Sequence, residues 1–380
     1  MIGSRTPMND HIIVSIFLRG AMDGLSYLVP HGDDDYRAAR PDLAVPTSAV
    51  MTLDETFGLH PAAAPLWDIW QKGQLALVPA SGSIDESRSH FDASAIVETG
   101  LGPSEIGGSG WLGRYLTSSA RGDQLEAVAV GRIVPRVLLG FPAAIGLANL
   151  ETFRLGPLRG QGISGTVDTA VRDLYPPPGS DLISTQGVAS FGVLDTLEAA
   201  GLTGRDTPAE FGDSSIGSDL WQASQLIEAD LGVRAITADF GGWDHHDGLG
   251  LFDDGRMRDQ LDALTNALAG FWTSIAQHHD RVTIVIMTEF GRRVGQNSNG
   301  GTDHGHGGVM TVIGGGINGG IHGDWVGLGS DVLDRGDVPV LTDYRTVLAE
   351  IVDRRAGAAG QLNEVFPEMP TGAASYVGVA

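Results

Sequence analysis

The chain has 380 residues, no cysteine, 24 basic against 47 acidic side chains and a formal net charge of −23. Without cysteine there are no disulfides, iron–sulfur clusters or thiolate zinc sites, so any metal must be held by oxygen and imidazole nitrogen. The acid excess argues against nucleic acid, which demands a basic surface, and the length allows one large domain or two ordinary ones.

Residues 1–10 lack the basic start, apolar stretch and small-residue cleavage site of an export signal, and no apolar run is long enough to span a membrane. This points to the cytoplasm, unless the chain has already been processed. Short, continuous or β-branched apolar runs at 12–18, 75–78, 127–130, 233–238, 282–287 and 309–313 predict strands covered on both faces. Residues 107–110 read as a turn, the Pro176-Pro177-Pro178-Gly179 run as a break, and 182–202 and 218–231 as helices. Met257, Leu261, Leu264, Leu268, Phe271 and Ile275 recur at helical spacing and lead into the strand at Val282, as in a β-α-β crossover. The glycine-rich 314–320 reads as a turn. The whole, 1–380, is taken as one domain in which 105–225 forms an insertion or cap over the sheet rim.

Ligand sites in open α/β sheets gather beyond the carboxyl ends of the strands. Asp23, Asp239, Asp244, Glu289 and Arg292 all fall just after predicted strands. The densest signal is Gly301-Thr302-Asp303-His304-Gly305-His306-Gly307, in which glycines let the backbone turn around an ion. Asp303, His304 and His306 are candidate metal ligands; the competing reading is a polar loop whose histidines bond to backbone. In Gly241-Gly242-Trp243-Asp244-His245-His246-Asp247, Asp244 and His246 are the preferred ligands, with His245 turned away and Trp243 a packing wall. Asp23 alone reads as a turn residue, and Arg19 binds an anionic oxygen or salt-bridges carboxylates. Ser89 fits either an N-cap or a nucleophile beside Arg88, and His90 a further ligand or a base. Glu289 ligates or orients a ligand histidine, and Arg292 clamps an oxyanion or forms a rim salt bridge. Two divalent ions about 4 Å apart would favour transfer or hydrolysis at phosphorus or sulfur.

Six stretches resemble the bacterial "domain of unknown function 1501" family: Phe17-Leu18-Arg19-Gly20-Ala21-Met22-Asp23-Gly24, Phe57-Gly58-Leu59-His60-Pro61, Arg88-Ser89-His90-Phe91, Gly241-Gly242-Trp243-Asp244-His245-His246, Glu289-Phe290-Gly291-Arg292 and the 301–307 motif. That family looks like a distant branch of the alkaline phosphatase and sulfatase superfamily. The resemblance implies an α/β three-layer sandwich, with a mostly parallel central sheet between helices and a partly helical insertion. It also implies two metal ions, zinc first, with manganese or iron as alternatives. By the same resemblance Asp23, Asp244, His246, Asp303, His304 and His306 are the ligands and Ser89 the nucleophile, with Arg88, Arg19 and Arg292 near it. The expected substrate is a small anionic ester, cleaved by a phosphoric ester hydrolase. The alternatives are a phosphotransferase, mutase or other ester hydrolase, or a non-catalytic metal-stabilised export or surface-assembly protein. Family members commonly look exported, which makes the periplasm the alternative compartment. Asp244 and His246 lie closer together than the corresponding superfamily pair. No cysteine, and no proline two residues after a serine, is present to form a typical sulfatase site.

Overall fold

A computed structural model describes residues 10–102, 108–131, 133–150, 165–175, 182–203, 205–367, 369 and 376–380, except the side chains of 165–168, 182, 183, 185 and 186. The Pro176–Gly179 break and residue 107 of the expected turn lie outside these residues. The strands are β1 (Ile12–Leu18), β2 (Leu28–Val29), β3 (Met51–Thr52), β4 (Gly58–Leu59), β5 (Leu75–Gly82), β6 (Ala127–Val130), β7 (Ile145–Leu147), β8 (Ala235–Phe240), β9 (Val282–Thr288), β10 (Gly308–Gly314), β11 (Gly320–Ile321) and β12 (Thr342–Asp343). The α-helices are α1 (Gly24–Tyr27), α2 (Asp34–Ala39), α3 (Trp67–Gln71), α4 (His90–Thr99), α5 (Trp111–Ser118), α6 (Gly165–Asp173), α7 (Leu182–Ala199), α8 (Ser215–Glu228), α9 (Arg256–Ser274), α10 (Tyr344–Arg354) and α11 (Leu362–Val365). Among the described residues no helix is long and apolar enough to cross a membrane.

The main sheet has nine strands in the order β11-β5-β10-β9-β1-β8-β6-β7, with β12 also paired to β5; β2, β4 and β3 form a small separate sheet. All pairings in the large sheet are parallel except those of β10, which runs antiparallel to both β5 and β9. Within the 105–225 stretch, β6 and β7 extend this sheet beyond β8.

Alternation along the strands builds a core on each face of the sheet. Ile12, Val14, Ile16 and Leu18 face the side that carries Leu220, Leu226, Leu261 and Leu268 of α8 and α9. Ile13 and Phe17 face the other side, against Trp111 and Leu112 of α5 and Val347 and Ile351 of α10. This is the three-layer α/β sandwich that the family resemblance implies, its strands covered on both faces as the apolar runs predict, with helix α9 joining β8 to β9 as in the crossover pattern.

The reversed strand β10 matters most for function. Because it runs against its neighbours, the 301–307 loop entering it lies on the same rim as the segments leaving β1, β5, β8 and β9. Residues far apart in sequence therefore meet at one edge.

Candidate metal centre

Three glycines make this meeting sterically possible. A side chain at Gly20 would bring its Cβ within 2.6 Å of the Asp244 nitrogen, one at Gly301 within 2.4 Å of the His246 carbonyl carbon, and one at Gly305 within 2.4 Å of that of Arg292. The loops after β1, β8 and β9 thus touch through bare backbone.

Asp244 lies at the middle of the group. Its Oδ1 is 3.1 Å from His246 Nε2 and 3.3 Å from His304 Nε2, and its Oδ2 is 3.5 Å from His90 Nε2. The His246 and His304 Nε2 atoms are 2.9 Å apart. Ligand atoms of His90, Asp244 and His304 all lie within 4.8 Å of one another, a group able to hold one metal ion. Around a tetrahedral ion with bonds of roughly 2.0–2.1 Å, neighbouring ligand atoms sit about 3.3 Å apart, close to the spacing of Asp244 Oδ1 from His246 and His304 Nε2.

Each ring is oriented from behind. His304 Nδ1 is 2.8 Å from the Arg88 carbonyl, His246 Nδ1 is 3.1 Å from Asp303 Oδ1, and His90 Nδ1 is 3.5 Å from Glu289 Oε1. Such contacts fix the tautomer that leaves Nε2 free to ligate. His90 Nδ1 faces Glu289 without a full hydrogen bond, and its Nε2 is shielded from solvent with no hydrogen-bond partner, so Nε2 is the nitrogen left for an ion. Glu289 is itself held by the backbone N–H groups of Gly20 and Ala21, which donate to it at 2.7–3.1 Å. Ala21 adopts φ 57° to complete this pocket of amides.

The electrostatics suit ligation. Partial burial raises the Asp244 carboxyl, but the Arg292 bond outweighs it and, with His304 and His246, brings the pKa down to about 2. Asp303 is lowered by its bonds to His246 and Asn297. Burial lowers His304, aided by Arg292, which favours the neutral imidazole a metal requires.

The other sequence candidates are placed differently. Asp23 is 1% exposed. Its carboxylate accepts from Arg40 at 2.9 and 3.0 Å, from Thr302 Oγ1 and from the Ser26 amide, so it braces the loops and does not join the cluster. His306 also stands apart, with Nε2 3.0 Å from the Ser83 carbonyl and 3.2 Å from that of Asp85. This is the backbone-bonding alternative weighed for the motif's histidines. Arg292 is buried and donates to the carbonyls of Ala21, Thr302 and Gly20 as well as to Asp244. It fastens Asp244 and offers no open anion clamp. Arg19 is committed to Glu98 and Asp239. Ser89 caps α4 and accepts from the Asp92 amide at 3.5 Å, while its chain neighbours Arg88 and His90 both touch the cluster. His245 is 1% exposed and Trp243 fully buried.

The sequence left His90 open between ligand and base, and the structure places it in the first turn of α4 beside Asp244. Sequence reasoning did not find Arg40, Arg293, Arg335 or Asp337. Beside His246 and His304 opens a cavity of about 480 Å³, walled by Arg88, Arg293 and Arg335 around Asp337.

Fold and site together describe an α/β protein with a His/Asp/His group suited to a single ion. Residues 195–361 match the family model described as "Protein of unknown function (DUF1501)", and over that stretch the chain is similar to that family. The match includes Asp244, His246, Glu289, Arg292, Asp303 and His304; Asp23, Ser89 and His90 lie outside it. No curated protein matches the chain. Among solved structures it is similar to the C-terminal periplasmic domain of EcEptC from Escherichia coli in complex with Zn, at 8% identity over 97% of this chain and 90% of that one, TM-score 0.40. It is also similar to alkaline phosphatase from the Antarctic bacterium TAB5, at 12% identity over 83% and 95%, TM-score 0.32. A third is BT1596, a 2-O GAG sulfatase, at 8% identity over 82% and 65%, TM-score 0.34.

Proposed function

We propose that this protein is a metal-dependent hydrolase of small phosphoric esters, using one divalent ion, zinc by preference, held by His90, Asp244, His246 and His304. The observation that carries this reading is the convergence of imidazole Nε2 atoms on Asp244 at separations of 3.1, 3.3 and 3.5 Å. An imidazole-rich set with one carboxylate suits zinc, with manganese or iron as alternatives. Two ions are not favoured, because Asp23 and His306 are engaged elsewhere.

A bound ion there supplies Lewis acidity to the ester oxygen. The cavity keeps the cluster accessible, which a sealed structural ion would not require; Arg88 and Arg293 at its wall pair with Asp337, and Arg335 with Glu86 and Asp334. Ser89 is the nucleophile in this reading. Its Oγ bonds to phosphorus as the ester's alcohol leaves carrying the serine's proton, and water then displaces phosphate and returns a proton to the hydroxyl. The first amides of α4 offset charge on the phosphoryl oxygens.

The test is metal analysis of protein purified without added metal, together with a screen of phosphate mono- and diesters. His304→Ala is expected to lose both ion and turnover, whereas Ser89→Ala keeps the ion and loses turnover. Turnover retained in Ser89→Ala would reduce Ser89 to a cap. Metal-free, inactive wild-type protein that stays inactive on zinc addition would remove the hydrolase reading.

A further inference from the structure

A second cavity, of about 270 Å³, opens at the carboxyl ends of β6 and β8, away from the metal ligands. Val130, Ile133 and Pro135 form an apolar wall, and Asp219, Thr237 and Asp239 supply the polar side. Thr237 is 3% exposed, and its hydroxyl has no hydrogen-bond partner. Its register neighbour on β6 is Ala129, which offers no side-chain partner. Asp239 lies two residues further along the same strand face, with Arg19 3.0 Å from each carboxylate oxygen. Asp219, brought in by α8, has no hydrogen-bond or ion-pair partner among the described residues. Burial and the neighbouring Asp239 push its carboxyl up to about 7.

Among the described residues, a buried hydroxyl without a partner and a carboxylate without a counter-charge have one common remedy. We propose that this cleft binds the ammonium group of a small alkylamine, with Asp219 as counter-ion, Thr237 Oγ1 and Asp239 as further acceptors, and the chain lying along Val130, Ile133 and Pro135. An ammonium group brings three donors and no acceptor, which matches three acceptors converging from α8 and β8. Ile133, 81% exposed at the lip, gains cover from the alkyl chain. A divalent cation fits less well: calcium takes at least about six oxygen ligands, whereas much of the wall here is apolar. The net charge of −23 favours a cation approaching at long range. This site does not depend on the hydrolase reading, and its test does not use turnover.

The experiment is calorimetric titration of the full chain with n-butylammonium chloride near neutral pH, with n-butanol and calcium chloride as comparisons at matched ionic strength. Saturable butylammonium binding is expected, weakened roughly tenfold or more in Asp219→Asn, as for loss of one charge-assisted hydrogen bond. Thr237→Val, which keeps the side-chain shape, should weaken it by a smaller factor. Because the cation favours ionised Asp219, binding should release protons, so the measured heat should vary with the buffer's ionisation enthalpy in wild type and not in Asp219→Asn. Absence of saturation would overturn the assignment. So would equal binding of butanol, displacement by calcium, or unchanged affinity in both variants.

Discussion

Arg292 and Asp23 show how much of a site is decided by single buried groups. Each follows a strand; the family resemblance makes Asp23 a ligand, and Arg292 reads as an oxyanion clamp or a rim salt bridge, while the structure gives both to support. Nothing local in the sequence reveals this, because their partners lie far away: Arg40 for Asp23, and the carbonyls of Ala21, Gly20 and Thr302 for Arg292. Two predictions separate support from ligation. Arg292→Lys keeps the charge but cannot reproduce a planar fork bonding several carbonyls and Asp244, so it should cost about 3–5 kcal/mol in denaturant unfolding and loosen the ion. Asp23→Asn leaves Arg40 buried without its counter-charge and should cost about 3 kcal/mol, yet keep the full metal content by elemental analysis. Loss of the ion in a folded Asp23→Asn protein would return Asp23 to the ligand set.

At the scale of elements, the apolar runs were legible because burial on both faces leaves a continuous signature. The runs at 12–18 and 127–130 coincide with β1 and β6, and the 257–275 periodicity falls one residue from α9. The reversed direction of β10 was not legible, since an apolar run carries no polarity, nor were the two-residue strands of the small sheet. The clustering of Asp244, His246, Asp303 and His304 could be anticipated because glycines flank both motifs. What those glycines do is geometric, and substitution can test it. Gly305→Ala must push the loop off Arg292, where a Cβ would sit 2.4 Å from backbone, so metal content should fall along with stability. Gly300→Ala is the control: its φ is +70°, but nothing lies within 4 Å of the added carbon. It should therefore show only backbone strain of about 1 kcal/mol and keep its ion. Equal metal loss in the two variants would mean that loop conformation, not close approach to Arg292, controls the site.

Over the whole molecule, the response to acid depends on groups that no motif marks. His11 enters the sheet just before β1 and is 3% exposed, with Nε2 3.0 Å from Thr283 Oγ1 on β9. Burial, reinforced by Arg355 and Arg281, lowers its pKa to about 3 from 6.5. The unfolded chain therefore binds a proton that the native state refuses. His11's contribution is fully present above about pH 6.5 and is lost progressively as pH falls from there toward 3. At about pH 5 the loss is about 2 kcal/mol, from 1.36 kcal/mol per unit over the interval below 6.5. His11→Asn keeps a partner for Thr283 without the titration. Denaturant unfolding in the presence of a chelator, which removes ion loss from the comparison, should show wild type losing about 2 kcal/mol more than His11→Asn between about pH 7.5 and pH 5. Contributions from the many carboxylates cancel in that difference. Parallel pH profiles for the two proteins would mean that His11 accepts its proton within the folded sheet.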